Sequence, residues 1–257
     1  MSGMDDGRSA TESAGARQPV KAASVNSSLR PPTGGAVTST SATNIRLGAA
    51  ALAVAGVLFL AYPSVRPWHD ESTATGASAS MGSNAWVAAH FFAMVGFVLL
   101  PLGLLALQAA VAATPAAPTA RLATVVAWVG CGLTLPYYGA EDFGLHGAAG
   151  PHGRGADLLG VINAVRYQPV AITIFGIGLV LIAVAAVLAA AAVWRSGLLP
   201  KTSGVLFAAG FGLFLPQFFG PAAVRIAHGA LLAVGMVVLA ATLWAAAGRS
   251  ARPTATR

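Results

Sequence analysis

Charge is scarce in this sequence. Asp, Glu, Lys and Arg make up 9% of its 257 residues, where a water-soluble domain carries about 25%. That shortage excludes an ordinary soluble globule, which could not cover its surface with so few charged groups. Cysteine is scarcer still. Cys131 is the only one and lies inside an apolar run, so an intramolecular disulfide and a CxxC-type zinc site are both excluded. The net charge of +7 raises the question of nucleic acid. The cations, however, sit in tails and at the ends of apolar runs, with no compact basic patch and no interleaved aromatics. No nucleic-acid partner is expected.

What the chain has in abundance is apolar length. Hydrophobic residues make up 56% of it, and several runs approach the ~20 residues needed to cross a bilayer. The expected fold is all-α, a polytopic membrane protein built as a six-transmembrane-helix bundle with the lipid bilayer as its partner. The spans are expected at 46–63, 85–112, 121–143, 168–194, 201–219 and 222–247. Pro63 should end the first, Asn84 should cap the second, and Pro101 should kink it. Phe219-Gly220-Pro221 separates the last two. Residues 1–44 are rich in Ser, Ala, Thr and Gly without apolar period and are expected to be a disordered cytoplasmic tail. The transmembrane domain should cover 45–248, and 249–257 a second cytoplasmic tail.

Orientation follows from the cations, which favour the cytoplasmic side. With the N-terminus inside, the inner segments hold Arg8, Arg17, Lys21, Arg30, Arg46, Arg121, Arg195, Lys201, Arg249, Arg252 and Arg257. The outer segments hold only Arg66, Arg154, Arg166 and Arg225. N-in and C-in is therefore expected, in the inner membrane of a bacterium, since the Ala- and Arg-rich composition suits a GC-rich bacterial genome. All four tyrosines (Tyr62, Tyr137, Tyr138, Tyr167) fall at the outer helix ends, where amphipathic rings favour the interface. Gly130-Cys-Gly-Leu-Thr-Leu-Pro136 also echoes Gly210-Phe-Gly-Leu-Phe-Leu-Pro216. The echo suggests a duplicated helical hairpin, spans 2–3 and 4–5.

This topology turns the polar residues into a depth map. At ~1.5 Å per residue, His90 lies about 9 Å below Asn84 and His228 about 10 Å below the 220–221 turn. Tyr137, Tyr138, Glu141, Asp142 and His146 close span 3, Gln217 closes span 5, and Arg225 lies one turn outward from His228. Ionisable groups at membrane depth point to a functional site, and all of these fall in the outer third. Span 6 should meet span 3 through Arg225 and Glu141 or Asp142. His152 and Arg154 belong to a connecting loop.

Three chemistries draw on this set. The leading one is a non-catalytic pocket of His90, Tyr137, Tyr138, Glu141, Asp142, His146, Gln217, Arg225 and His228. It would bind or transport a small polar or ionic ligand, or serve membrane assembly or sensing. A second is a divalent metal such as zinc on His90, His228, Glu141 and His146, giving a metal-dependent hydrolase at the outer leaflet. A third is haem b held between His90 and His228, giving a membrane cytochrome. The stretch LPQFFGPAAVRIAH (215–228) and the six-span layout resemble bacterial integral membrane proteins in general, a likeness that implies no catalytic residue. Neither oligomeric state nor ligand identity follows from these patterns.

Overall fold

The computed structural model describes residues 35–153 and 157–250. They contain nine α-helices and no strand. Five stretches are long and apolar enough to cross a membrane: Ser41–Val65, Asn84–Ala110, Ala117–Ala149, Pro169–Ser196 and Ala222–Arg249. The protein is a multi-pass helical membrane protein.

Helix boundaries follow local chemistry. α1 (Gly35–Val65) is helical from Gly35, inside the expected tail, and runs past Pro63. The rest of that tail, and the C-terminal residues after 250, lie outside the described residues, as does Arg154. α2 (Ala74–Met81) starts where the Thr73 hydroxyl accepts from the Gly76 N–H. α3 (Asn84–Ala110) is capped by Ser83, whose hydroxyl accepts from the Trp86 N–H. The cap is therefore Ser83 rather than Asn84, which is the first helical residue. Each such oxygen satisfies one otherwise unpaired N–H of the first turn. α3 continues through Pro101.

α4 (Ala117–Gly139) passes Pro136 and widens into a π turn at Ala140–Gly144, after which α5 (Leu145–Ala149) resumes. α6 (Leu158–Arg166) is capped by Asp157, and α7 (Pro169–Ser196) by Gln168 with Pro169 at its first position. α7 ends at Gly197, whose φ of 65° is the left-handed conformation that glycine adopts without a Cβ clash. α9 (Ala222–Ser250) closes the chain.

The expected fifth span is where the structure departs from the pattern. α8 covers only Lys201–Gly212, followed by a turn and a 3-10 helix at Pro216–Phe219. It is too short to count among the five spanning helices. Pro216 lacks an N–H and its ring crowds the preceding turn; α3 and α4 pass through Pro101 and Pro136, but here the Gly210 carbonyl is also taken by His228, and the helix stops at Gly212. α8 nevertheless runs antiparallel to α9. A Cβ on Gly235 would meet Leu206, one on Gly210 would meet Leu232, and Arg225 reaches Gln217.

The helices pack as a closed ring in chain order, α1 beside α3, then α4, α7, α8 and α9, which returns to α1. Close approaches at small residues make this ring: Gly130 faces Gly178 between α4 and α7, and Gly204 faces Ala190 between α8 and α7. Such contacts suit helices in lipid, where dispersion must replace a hydrophobic driving force. Aromatic rings fill the centre. Phe59 lies 4.9 Å from Phe97, 5.8 Å from Phe211 and 5.9 Å from Phe214, centroid to centroid. Residues such as Val54, Val98, Val125, Val180 and Val237 face outward toward lipid.

One end of the ring carries a cap absent from the sequence reading, made by α2, α5 and α6 around a small core of Ala77, Met81, Trp86, Leu145 and Ile162. All five described acids lie at this polar end. The opposite end holds Arg46, Arg121, Arg195, Lys201 and Arg249, with no acid among the described residues.

Candidate functional site

The polar end is organised by a chain of alternating charges. Arg66, just beyond α1, donates to Glu71 at 2.5 Å. Glu71 also pairs with Arg166 at 2.9 Å. Arg166 then forks onto Glu141, its Nε and Nη2 donating at 2.6 and 3.0 Å. The four side chains are 7–19% exposed, so water screens them far less than a surface pair. Burial opposes the charged form of Arg166, but its bonds and proximity to Glu141 and Glu71 outweigh that and raise its pKa. The chain ties the end of α1, the α1–α2 loop, α6 and the π turn together.

Arg225 stands outside this chain. Its Nε donates to Gln217 at 3.2 Å, and its guanidinium lies over Trp68 (4.9 Å) and Phe218 (5.1 Å). It makes no ion pair among the described residues, whereas the sequence reading gave it Glu141 or Asp142. Arg166 occupies Glu141 instead, because α6 in the cap brings its Nε and Nη2 to the two carboxylate oxygens.

These groups surround a cavity of about 420 Å³. Its polar wall consists of Arg66, Glu71, Arg166, Glu141, Arg225, His90 and Tyr62, with Tyr137, Tyr138 and Tyr167. Its apolar wall is Ile172, Phe175, Gly176, Leu215, Phe218 and Phe219. Tyr137 stacks on Phe175 at 4.2 Å and donates to the Arg166 carbonyl at 3.2 Å. Tyr138 packs edge-on against Phe97 at 5.3 Å and links the cavity floor to the aromatic centre of the ring. With one formal charge per residue, three arginines against two glutamates leave the wall at +1.

The other expected residues lie near this cavity without lining it. His228 donates from Nε2 to the Gly210 carbonyl at 2.8 Å. That carbonyl is available because the Phe214 N–H bonds to Phe211 where α8 gives way to the 3-10 turn. His228 thus seals the break in the helix. It and Gln217 border a crevice of about 10 Å³ that shares Tyr62 and Arg225 with the cavity, room for at most one water. His146 donates from Nδ1 to the Met81 carbonyl at 2.7 Å and joins α5 to α2. Asp142 is fully buried, and neither carboxylate oxygen has a hydrogen-bond partner. Neighbouring residues on a helical turn point about 100° apart, so Glu141 and Asp142 face different surroundings.

The π turn itself has a use. The Leu145 N–H reaches back to Ala140, and the Glu141 carbonyl accepts from the Trp86 indole at 3.1 Å. Trp86 in turn supports His90, whose Nδ1 donates to the Trp86 carbonyl at 2.9 Å. A neutral His90 therefore keeps Nε2 as an acceptor. The four residues of the metal and haem readings are distributed over the cavity wall, the crevice and the cap. No group of three His, Cys, Asp or Glu suited to a metal forms among the described residues.

Arg66, Glu71, Arg166 and Tyr62 belong to the site and are not among the site residues expected from the sequence. A signal existed in Arg66-Pro-Trp-His-Asp-Glu71, which concentrates charge and aromatics in a loop of a chain with few acids.

Fold and site together define a multi-pass helical membrane protein with a charged, aromatic-lined cavity at one end of a closed ring. No known family model matches the chain, and neither a curated protein nor a solved structure matches it.

Proposed function

We propose that the cavity binds a small anionic or polar molecule reached from outside a bacterial inner membrane, and that the protein is a binding or sensing component rather than a conduit. The observation that carries this reading is Arg225, a cation in the cavity wall without an ion-pair partner among the described residues. A bound anion would supply that partner through charge-assisted hydrogen bonds. The +1 wall favours the same sign of ligand. The aromatic centre formed by Phe59, Phe97, Phe211 and Phe214 speaks against a polar path through the ring.

In this reading the broken segment 201–219 is a sixth crossing, which brings both chain ends to the cytoplasmic side. The cation-rich end, with Arg46, Arg121, Arg195, Lys201 and Arg249 and no described acid, supports that orientation. Gly150→Cys in a Cys131→Ala background should react with an impermeant thiol reagent on intact cells. Reaction only after lysis would reverse the orientation. For binding, phosphates, carboxylates and organic cations would be compared by thermal unfolding of the purified protein. An anionic compound should raise Tm with concentration in the natural protein and not in Arg225→Gln. A set of cationic hits only, or equal shifts in both proteins, would refute the reading.

A further inference from the structure

The apolar wall of the cavity does not end at its mouth. A second groove of about 490 Å³ runs along α7 and α8, lined by Leu179, Val180, Ala183, Val184, Val187 and Leu188 on one side. Phe211, Gly212, Leu215 and Pro216 form the other side, and Leu215 borders both spaces. On α7 the lining continues from Ile172, Phe175 and Gly176 in the cavity to Leu179 and onward at helical spacing. From Ile172 to Leu188 this face is about 24 Å long at ~1.5 Å per residue. Half of a bilayer's hydrocarbon core is about 15 Å deep. α8 ends at Gly212, and beyond it Leu215 and Pro216 line the groove.

Two glycines keep the channel wide without serving helix contact. A Cβ built on Gly176 or Gly212 would meet nothing within 4 Å. At Gly130, Gly178 and Gly204, by contrast, it would press on a neighbouring helix.

We infer that the occupant is a membrane lipid with an anionic headgroup, its phosphate against Arg225 in the cavity and one acyl chain laid along the α7–α8 groove. This rests on the reading of the cavity as a ligand site and names the ligand class. Charge complementarity selects the headgroup. The α7 face that lines both spaces, with Leu215 bordering each, gives the chain its path, and the open side of the groove gives lateral entry from the bilayer.

The test uses full-length protein in detergent micelles and labelled phosphatidylglycerol or phosphatidylcholine, with glycerol phosphate as a headgroup without a chain. The natural protein should prefer phosphatidylglycerol by about tenfold, because both lipids offer Arg225 a phosphate but phosphatidylcholine also brings a quaternary ammonium against the +1 wall. Arg225→Gln should lose the preference. Gly212→Trp should weaken lipid binding about tenfold and leave glycerol phosphate binding unchanged. A photoreactive acyl chain on the natural protein should crosslink to 179–188 and 211–216, a readout independent of any variant's folding. If Arg225→Gln abolishes binding while Gly212→Trp and the crosslinks ignore the groove, the lipid inference fails and the cavity reading stands. If neither lipid nor glycerol phosphate binding depends on Arg225, both fail.

Discussion

Replacing Arg166 should unfasten the polar end, and the partner that feels the loss identifies the pairing. Arg166→Met keeps most of the side chain's bulk but removes two fork bonds to Glu141 and the ion pair to Glu71. Removing one member of a fully buried pair costs about 3–5 kcal/mol. Arg166 is 19% exposed and Glu141 11%, so partial solvation lowers the expected loss to about 2–4 kcal/mol. Part of that cost is the stranded carboxylate, which Glu141→Gln removes. The double-mutant cycle between Arg166→Met and Glu141→Gln should therefore show coupling of about 2 kcal/mol. The cycle between Arg225→Met and Glu141→Gln should show less than about 0.5 kcal/mol, since no contact joins those side chains. Unfolding in mixed detergent micelles measures both. Additive effects at Arg166 and Glu141, or strong coupling at Arg225, would refute the charge chain described above.

Two further outcomes follow from packing and burial. Gly178→Ala puts a Cβ 2.5 Å from the Thr134 hydroxyl and 2.9 Å from the Gly130 carbonyl, and should cost about 1–3 kcal/mol by overpacking. Gly132→Ala, with nothing within 4 Å, should be neutral or stabilising by up to about 1 kcal/mol; equal losses at both sites would argue against the α4–α7 contact. Asp142→Asn should leave stability unchanged or raise it by about 1–3 kcal/mol, because the buried carboxylate has no hydrogen bond to lose. A large destabilisation would mean that Asp142 holds a partner.

Much of the fold can be read from apolar length. The positions of α3, α4, α7 and α9 follow from runs bounded by Ser83, Gly197 and the 220–221 turn, because lipid rewards continuous apolar helix. α8 could not be placed this way. Its composition resembles a span, but Pro216 and the His228 bond to Gly210 turn it into a shorter helix and a 3-10 turn. The site was legible in part for a related reason. His90, Tyr137, Tyr138, Glu141 and Arg225 share an end of the bundle that topology alone indicates. Which arginine meets Glu141 depends on α6, whose nine apolar-rich residues are too few to cross a bilayer and acquire their place only from the cap. Asp142 shows the opposite limit, since adjacency to Glu141 in sequence says nothing about shared surroundings across a π turn.

The charge preference of the cavity is the central claim, and a thiol placed inside it reports on that directly. Gly176→Cys lines the cavity and displaces nothing. In a Cys131→Ala background, its reaction rates with anionic and cationic thiosulfonate reagents of similar size would be compared. The account predicts faster reaction with the anionic reagent, and loss of that preference in Arg225→Gln. Equal rates, or faster reaction with the cation, would contradict it.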